Sequence, residues 1–522
     1  MHSTRLIRTF ARATKTSRGQ QNSVRSTEAI RTKSDFTRPP APPSNAPRPS
    51  VKSVGETRLN PPKSPPASAI PSSKAETSDR PPPTELLTVL QETIKTHGPL
   101  PISRYMTLCL NHPTLGYYTT RKVFGKEGDF VTSPEISQAF GELLGIWFVT
   151  QWLAQGAPQS VRIVELGPGR GTLLADVLRT FRSLPPNSRP PVTSIHLVEA
   201  SEQLQRVQKQ KLAETGFAET ETRWYGDVKE IPVSKNEFTV LIAHEFFDAL
   251  PIHIFENTQN GWREVLVDIA DPKTIAANPS KAEPLRLVLA PNATPASALY
   301  TSLARAIYPS AQSQPDLASA ASAPRPVLLN VDTTIGASSP PPSSPSGKEG
   351  SLIAQRFARL PIGSRLEVSP SSWEVARDLA RVVAGPEDGK GGAALVVDYG
   401  DAKAFGRSWR GFRRHQVVDP LTEPGHTDLT ANVDFAYLSE AMSEFAETPG
   451  PLSQRTFLTA LGLEPRLAAL LRSATSEERR NEIASAAKRL VDKAGMGEQY
   501  KFLAVVPKGK TQVEGVYPFD VK

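Results

Sequence analysis

Cysteine is almost missing: Cys109 is the only one among 522 residues. A single thiol excludes an intrachain disulfide framework and any multi-cysteine zinc or iron–sulfur centre. It fits a reducing compartment, and its apolar helical context reads as a small buried hydrophobe. Apolar runs of about 18 residues are also absent, so no transmembrane helix is expected. Acids are missing from the leader, where Arg5, Arg8, Arg12, Lys15, Arg18 and Arg25 precede the first acid, Glu28. The rest of the chain balances 55 basic residues against 53 acids, so most of the net charge of +8 sits in that leader. A nucleic-acid binder carries its charge on its folded part, and no nucleic-acid partner is expected here. What is plentiful is proline: 49 residues, about twice the usual share of roughly 5%, bunched in residues 38–83 and 291–346.

Residues 1–31 have the amphipathic, acid-poor composition of a mitochondrial transit peptide. Arg5, Arg8 and Arg12 fall on one side of a helix, with Leu6, Phe10 and Ala13 on another. The reading implies a mitochondrial location, in the matrix. The same composition also fits a disordered basic tail on a cytosolic protein. Residues 32–83 predict a disordered Pro/Ser-rich linker. Residues 84–160 predict an N-terminal helical region packing on the core. There Leu86, Leu87, Leu90 and Ile94 repeat at helical spacing, and Ser133-Pro134 reads as an N-cap with proline at the first helical position, ahead of an apolar stripe through Ile136, Phe140 and Leu143 to Trp147 and Phe148.

Residues 161–510 alternate β-rich runs (161–166, 195–198, 238–243, 394–398, 501–506) with helical ones (172–181, 201–215, 373–383). That alternation predicts an α/β fold with a Rossmann-like, parallel, doubly wound sheet. A low-complexity insertion around 291–350 interrupts it, and its part from Gly336 onward reads as disordered.

After the first strand run comes Glu165-Leu166-Gly167-Pro168-Gly169-Arg170-Gly171-Thr172. Glycines 167, 169 and 171 let the backbone turn tightly and approach a ligand at the carboxyl edge of the sheet. The dinucleotide fingerprint G-x-G-x-x-G is not met, because the third glycine comes one residue early and Thr172 takes its place. Acids follow in order at strand ends. Glu199 can accept both ribose hydroxyls, Asp227 can accept from an adenine amino group with Val228 against the ring, and Glu165 can face a cationic methionyl amine or order the loop. Together these favour S-adenosyl-L-methionine, with S-adenosyl-L-homocysteine as product, over NAD. The fold class is then a class I S-adenosylmethionine-dependent methyltransferase with an N-terminal helical extension and substrate-side insertions.

Four blocks resemble one family, the MidA-like mitochondrial protein arginine methyltransferases that serve as complex I assembly factors. They are Gly128-Asp129-Phe130-Val131-Thr132-Ser133-Pro134-Glu135-Ile136-Ser137, the glycine loop, Ala243-His244-Glu245-Phe246-Phe247-Asp248-Ala249-Leu250-Pro251, and Asp419-Pro420 with Asp428-Leu429-Thr430 and Asp434-Phe435. The resemblance implies methylation of arginine in a complex I subunit as protein partner. Bacterial relatives differ at His244 and Asn432. Glu245 and Asp248 follow an apolar strand and lie three apart, so they can share a helical face near the methyl donor. Carboxylates orient a guanidinium bidentately, which makes these two the candidate catalytic pair; salt-bridging or capping a helix would also explain them. Asp129, Ser133 and Glu135, with His415 and Asp428, are candidates for substrate contact or closure, although Ser133 already makes sense as a helix start. No metal is required. A non-catalytic assembly chaperone on the same fold and a small-molecule methyltransferase remain as alternatives.

Overall fold

The computed structural model describes residues 83–120, 133–273, 283–307, 351–509 and 516–519. The expectations for residues 1–31 and 32–82, for Asp129 and for the insertion from 308 to 350 lie outside them.

The apolar runs form the strands that their β-branched composition predicts. β1 (Val161–Leu166), β2 (Val192–Val198), β3 (Glu221–Tyr225), β4 (Phe238–His244) and β5 (Gly392–Asp401) pair in parallel, in the order β3-β2-β1-β4-β5. β1 and β4 are buried along their whole length, as strands covered on both faces are. The sheet is nevertheless not wholly parallel. β6 (Tyr500–Pro507) runs antiparallel to β5, pairing Tyr500 with Tyr399 and Val505 with Ala394. The reason is where the chain enters: the short helix Met496–Gln499 leads straight into Tyr500, at the end of β5 where the other strands finish, so the strand must run back. Short strands bring this sheet to nine among the described residues.

A second sheet was not legible in the alternation. Leu100–Pro101, His253–Thr258, Gly261–Ile269, Leu285–Leu289 and Arg365–Val368 pair antiparallel. The helices α1 (Glu85–His97) and α2 (Ile102–Asn111) bury Leu90, Ile94, Tyr105, Met106 and Cys109 in one cluster with Ile254, Val265 and Val267 of that sheet. The Ala/Ser-rich start of the insertion is ordered: Pro295–Ile307 is a helix, with Tyr300 and Ala304 buried beside Phe357 of the helix Leu352–Arg359.

The helix expected to open at Ser133-Pro134 divides. Ser133–Ile136 is a single turn, and the long helix α3 (Gln138–Ala154) is capped by Ser137, whose side chain accepts from the Ala139 amide. The competing principle is the cap itself, since Ser137 adopts the extended backbone that an N-cap needs and interrupts the run. Phe140, Leu143, Leu144, Trp147 and Phe148 are buried as the stripe predicts. α4 (Thr172–Ser183), α5 (Glu202–Glu214) and α6 (Pro370–Ala384) complete the alternation.

Candidate active site

The carboxyl edge of β1, β2 and β4 opens into a cavity of about 740 Å³, within the ~300–1,000 Å³ usual for ligand sites. Glu165, Gly167, Gly169, Glu199, Glu245, Asp248, Glu135 and Asp428 all line it, from segments up to some 290 positions apart in the chain. Gly167, Gly169 and Gly171 have φ of 61°, 52° and 74°, the left-handed region that glycine enters without a Cβ penalty. At Gly167 a Cβ would also stand 2.9 Å from the Phe246 ring. Gly171 lies just behind the lining as the N-cap of α4.

Glu165 is buried one residue before the end of β1, and its Oε2 has no hydrogen-bond partner among the described residues. Burial pushes its carboxyl up to about 8. An orphaned carboxylate facing a cavity fits a cationic ligand group, which the methionyl amine provides. Glu199 accepts from the Ser201 amide at 2.8 Å and from Gln208 Nε2 at 3.2 Å, and Gln208 also donates to the Gly169 carbonyl at 2.8 Å. One glutamine thus ties the strand-end acid to the glycine loop. Burial raises the Glu199 carboxyl. Asp227 and Val228 do not line the cavity, although neighbouring Gly226 does. Asp227 caps a short turn, accepting from the Lys229 amide at 3.1 Å, and Val228 is buried in the core.

At the other end, Glu245 takes a left-handed φ of 49°, which is unusual for a residue with a side chain. Its Oε1 accepts from the Tyr500 hydroxyl at 2.6 Å. Burial pushes its carboxyl up to about 8; the Tyr500 hydrogen bond opposes that, while the charges of Asp248, Asp428 and Glu135 add to it. Burial raises Asp248 to about 6, moderated by Arg410. Asp428 accepts from the Tyr118 hydroxyl at 3.0 Å. His244 is buried beside them, between the rings of Phe140 and Tyr500. Burial lowers it to about 3, so it is a neutral imidazole.

Ser133 and His415 are not brought to this cavity. Ser133 is buried, 3.5 Å from Gln454 Oε1, while His415 lines a neighbouring cavity of about 500 Å³ that shares only Glu245 and Tyr399 with the first.

Three residues that sequence reasoning did not single out organise the site. Asp398, fully buried at the end of β5, accepts from the successive amides of Phe246, Phe247 and Asp248 at 3.2, 2.9 and 3.3 Å, and so holds the turn that carries both candidate acids. Tyr500 anchors Glu245. Arg410 donates to Asn432 Oδ1 at 2.7 Å and lies over the rings of Tyr399 and Phe412. The only sequence signal was an acid ending an apolar strand at Asp398.

A doubly wound sheet with this loop, this strand-end acid and this orphaned carboxylate defines a class I S-adenosylmethionine-dependent methyltransferase, with S-adenosyl-L-methionine as its cofactor. Comparison with known proteins agrees. The family described as putative S-adenosyl-L-methionine-dependent methyltransferases matches residues 143–452. The rat "Protein arginine methyltransferase NDUFAF7, mitochondrial" is 35% identical over 447 residues, 82% of this chain and 86% of its own. The fly homologue of the same name is 34% identical over 483 residues, 88% and 92% of the two chains. A Burkholderia thailandensis crystal structure bound to S-adenosyl-homocysteine shares the fold, with a TM-score of 0.60 and 22% identity over 84% of this chain and 98% of that one. The chain belongs to this methyltransferase family, in the branch that includes the mitochondrial NDUFAF7 proteins.

Proposed function

We propose that the protein is a mitochondrial protein arginine N-methyltransferase that modifies a complex I subunit and thereby supports complex I assembly. The observation that carries the chemistry is the set of four carboxylates, Glu135, Glu245, Asp248 and Asp428, lining the cavity that also holds the glycine loop. A guanidinium offers a planar fork of donors and stays cationic, and it relieves the mutual repulsion of these acids. The names of the relatives supply the arginine and the organelle; the complex I subunit comes from the family resemblance.

Glu165, Glu199 and the glycine loop are the groups that would hold the cofactor, which supplies an electrophilic methyl group on a sulfonium. Transfer forms an N–CH₃ bond, breaks the S–CH₃ bond and leaves one proton to be taken from the guanidine nitrogen. Glu245 and Asp248 orient that nitrogen and stabilise the positive charge that localises on it as conjugation is lost. The guanidinium's charge favours the ionised form of Glu245, and that carboxylate, made more basic by burial, is also suited to take up the departing proton. Residues 1–31 serve as the import signal in this reading.

The test is incubation of the purified chain with isotopically labelled S-adenosylmethionine and mitochondrial extract, read by mass spectrometry. Labelled methylarginine on a complex I subunit is expected. Label only on small molecules would overturn the reading.

A further inference from the structure

The second cavity abuts the catalytic end of the first. Glu245 and Tyr399 stand between them as shared wall, and Phe412, His415, Ser485, Lys488, Arg489 and Asp492 are among the residues around it. At about 500 Å³ it lies within the range of ligand sites, yet the cofactor groups lie outside it. Its walls come from the hairpin after Arg410–Arg413 and from the end of the helix Glu477–Val491.

The charges divide by depth. In the shared wall stands Glu245, and in the first cavity beyond it Asp248, Asp428 and Glu135; around the second cavity stand the exposed Lys488 and Arg489, neither of which forms an ion pair among the described residues. Other cations of the same helix are paired, Arg479 with Glu482 and Arg480 with Glu477. Apart from Glu245 in the shared wall, Asp492 is the only acid around this cavity among the described residues. An arginine side chain is drawn toward the inner acids, and a chain that bears it from this side lies over the two cations. A peptide with basic neighbours would be repelled there and one with acidic neighbours held.

We infer that the second cavity is the docking subsite for the substrate polypeptide, and that Lys488 and Arg489 select an arginine flanked by acidic residues. This rests on the arginine methyltransferase reading and specifies its substrate class. The ordinary alternative is that the two cations only complement the carboxyl end of their helix. That role would affect stability and leave substrate choice untouched.

The experiment measures binding and turnover separately in the full chain. Fluorescence anisotropy with three short arginine peptides, flanked by glutamate, alanine or lysine, requires no methyl transfer. The glutamate-flanked peptide is expected to bind best, by about fivefold per engaged charge, the upper end for exposed pairs, with the preference fading at 1 M salt. Lys488→Gln with Arg489→Gln should remove the preference and raise KM for the protein substrate while kcat and S-adenosylmethionine binding stay unchanged. Lys488→Glu with Arg489→Glu should turn the preference toward the lysine-flanked peptide. Should the glutamine pair fold, bind cofactor and keep the wild-type ranking, the inference is overturned. Acid-flanked binding without any methyl transfer would uphold the subsite and count against the function proposed above, so the two failures are distinguishable.

Discussion

Glu165 carries a buried oxygen without a partner among the described residues, and the cost of ionising it is felt both in stability and in binding. Its folded pKa of about 8 lies above the ordinary 4.5, so between those values the folded state holds more protons than the unfolded one. Stability of the cofactor-free protein is therefore expected to fall as pH rises through that window. A cationic amine beside Glu165 reverses the preference, and binding should release a proton near neutral pH. Calorimetric titration with S-adenosylmethionine in two buffers of different ionisation enthalpy checks this. Proton release should be present in the wild type and reduced in Glu165→Gln. Glu245→Gln and Asp248→Asn should leave cofactor affinity nearly intact and lower methyl transfer by roughly a hundredfold, the usual cost of losing one charge contact that strengthens in the transition state. Folded variants that transfer at the wild-type rate would make these acids structural.

Two elements explain how those side chains are placed. The turn after β4 is held from β5: Asp398 accepts three consecutive amides from the turn and a fourth from Tyr399 at 2.9 Å. Asp398→Ala leaves all four without that acceptor, and a loss of about 3 kcal/mol or more is expected from the cost of unmet buried donors. Denaturant unfolding measures it. Methyl transfer should fall as well, because Glu245 and Asp248 ride on the freed turn. At the start of α3 the two serines differ. Ser137→Ala removes the cap of a long helix and should cost about 1 kcal/mol, whereas Ser133, at 3.5 Å from Gln454, should matter much less. Equal losses at the two positions would contradict the division of that segment.

At the scale of the whole molecule the antiparallel sheet backs the site, whose lining includes Tyr118 and Ala249 from the edge of that sheet's apolar cluster. The central sheet supplies the glycine loop and the strand-end acids, while the antiparallel sheet and its α1–α2 layer pack with Ala249, Ile252 and Leu429 in that cluster. Cofactor binding, worth about 2.7 kcal/mol at a hundredfold excess over Kd, is expected to slow hydrogen exchange in His253–Thr258 as well as in β1. Exchange mass spectrometry with and without S-adenosylmethionine reads this. Protection confined to the glycine loop would mean that the sheets open independently.

The sequence by itself determined what depends on neighbours along the chain: β-branched runs, helix periodicity, glycines at left-handed positions, and the acids Glu165 and Glu199 at the ends of β1 and β2. Those patterns are local because backbone sterics and side-chain periodicity act over a few residues. The antiparallel course of β6, the second sheet and the placement of Asp227 and His415 away from the main cavity were decided only by the tertiary structure. So was the grip of Asp398 on a turn 150 positions earlier, and of Tyr500 on Glu245 across 255. A hydrogen bond between such distant segments leaves no period or spacing in the chain. It exists because β5 lies between β4 and β6 in the sheet, which sets their carboxyl-edge residues side by side.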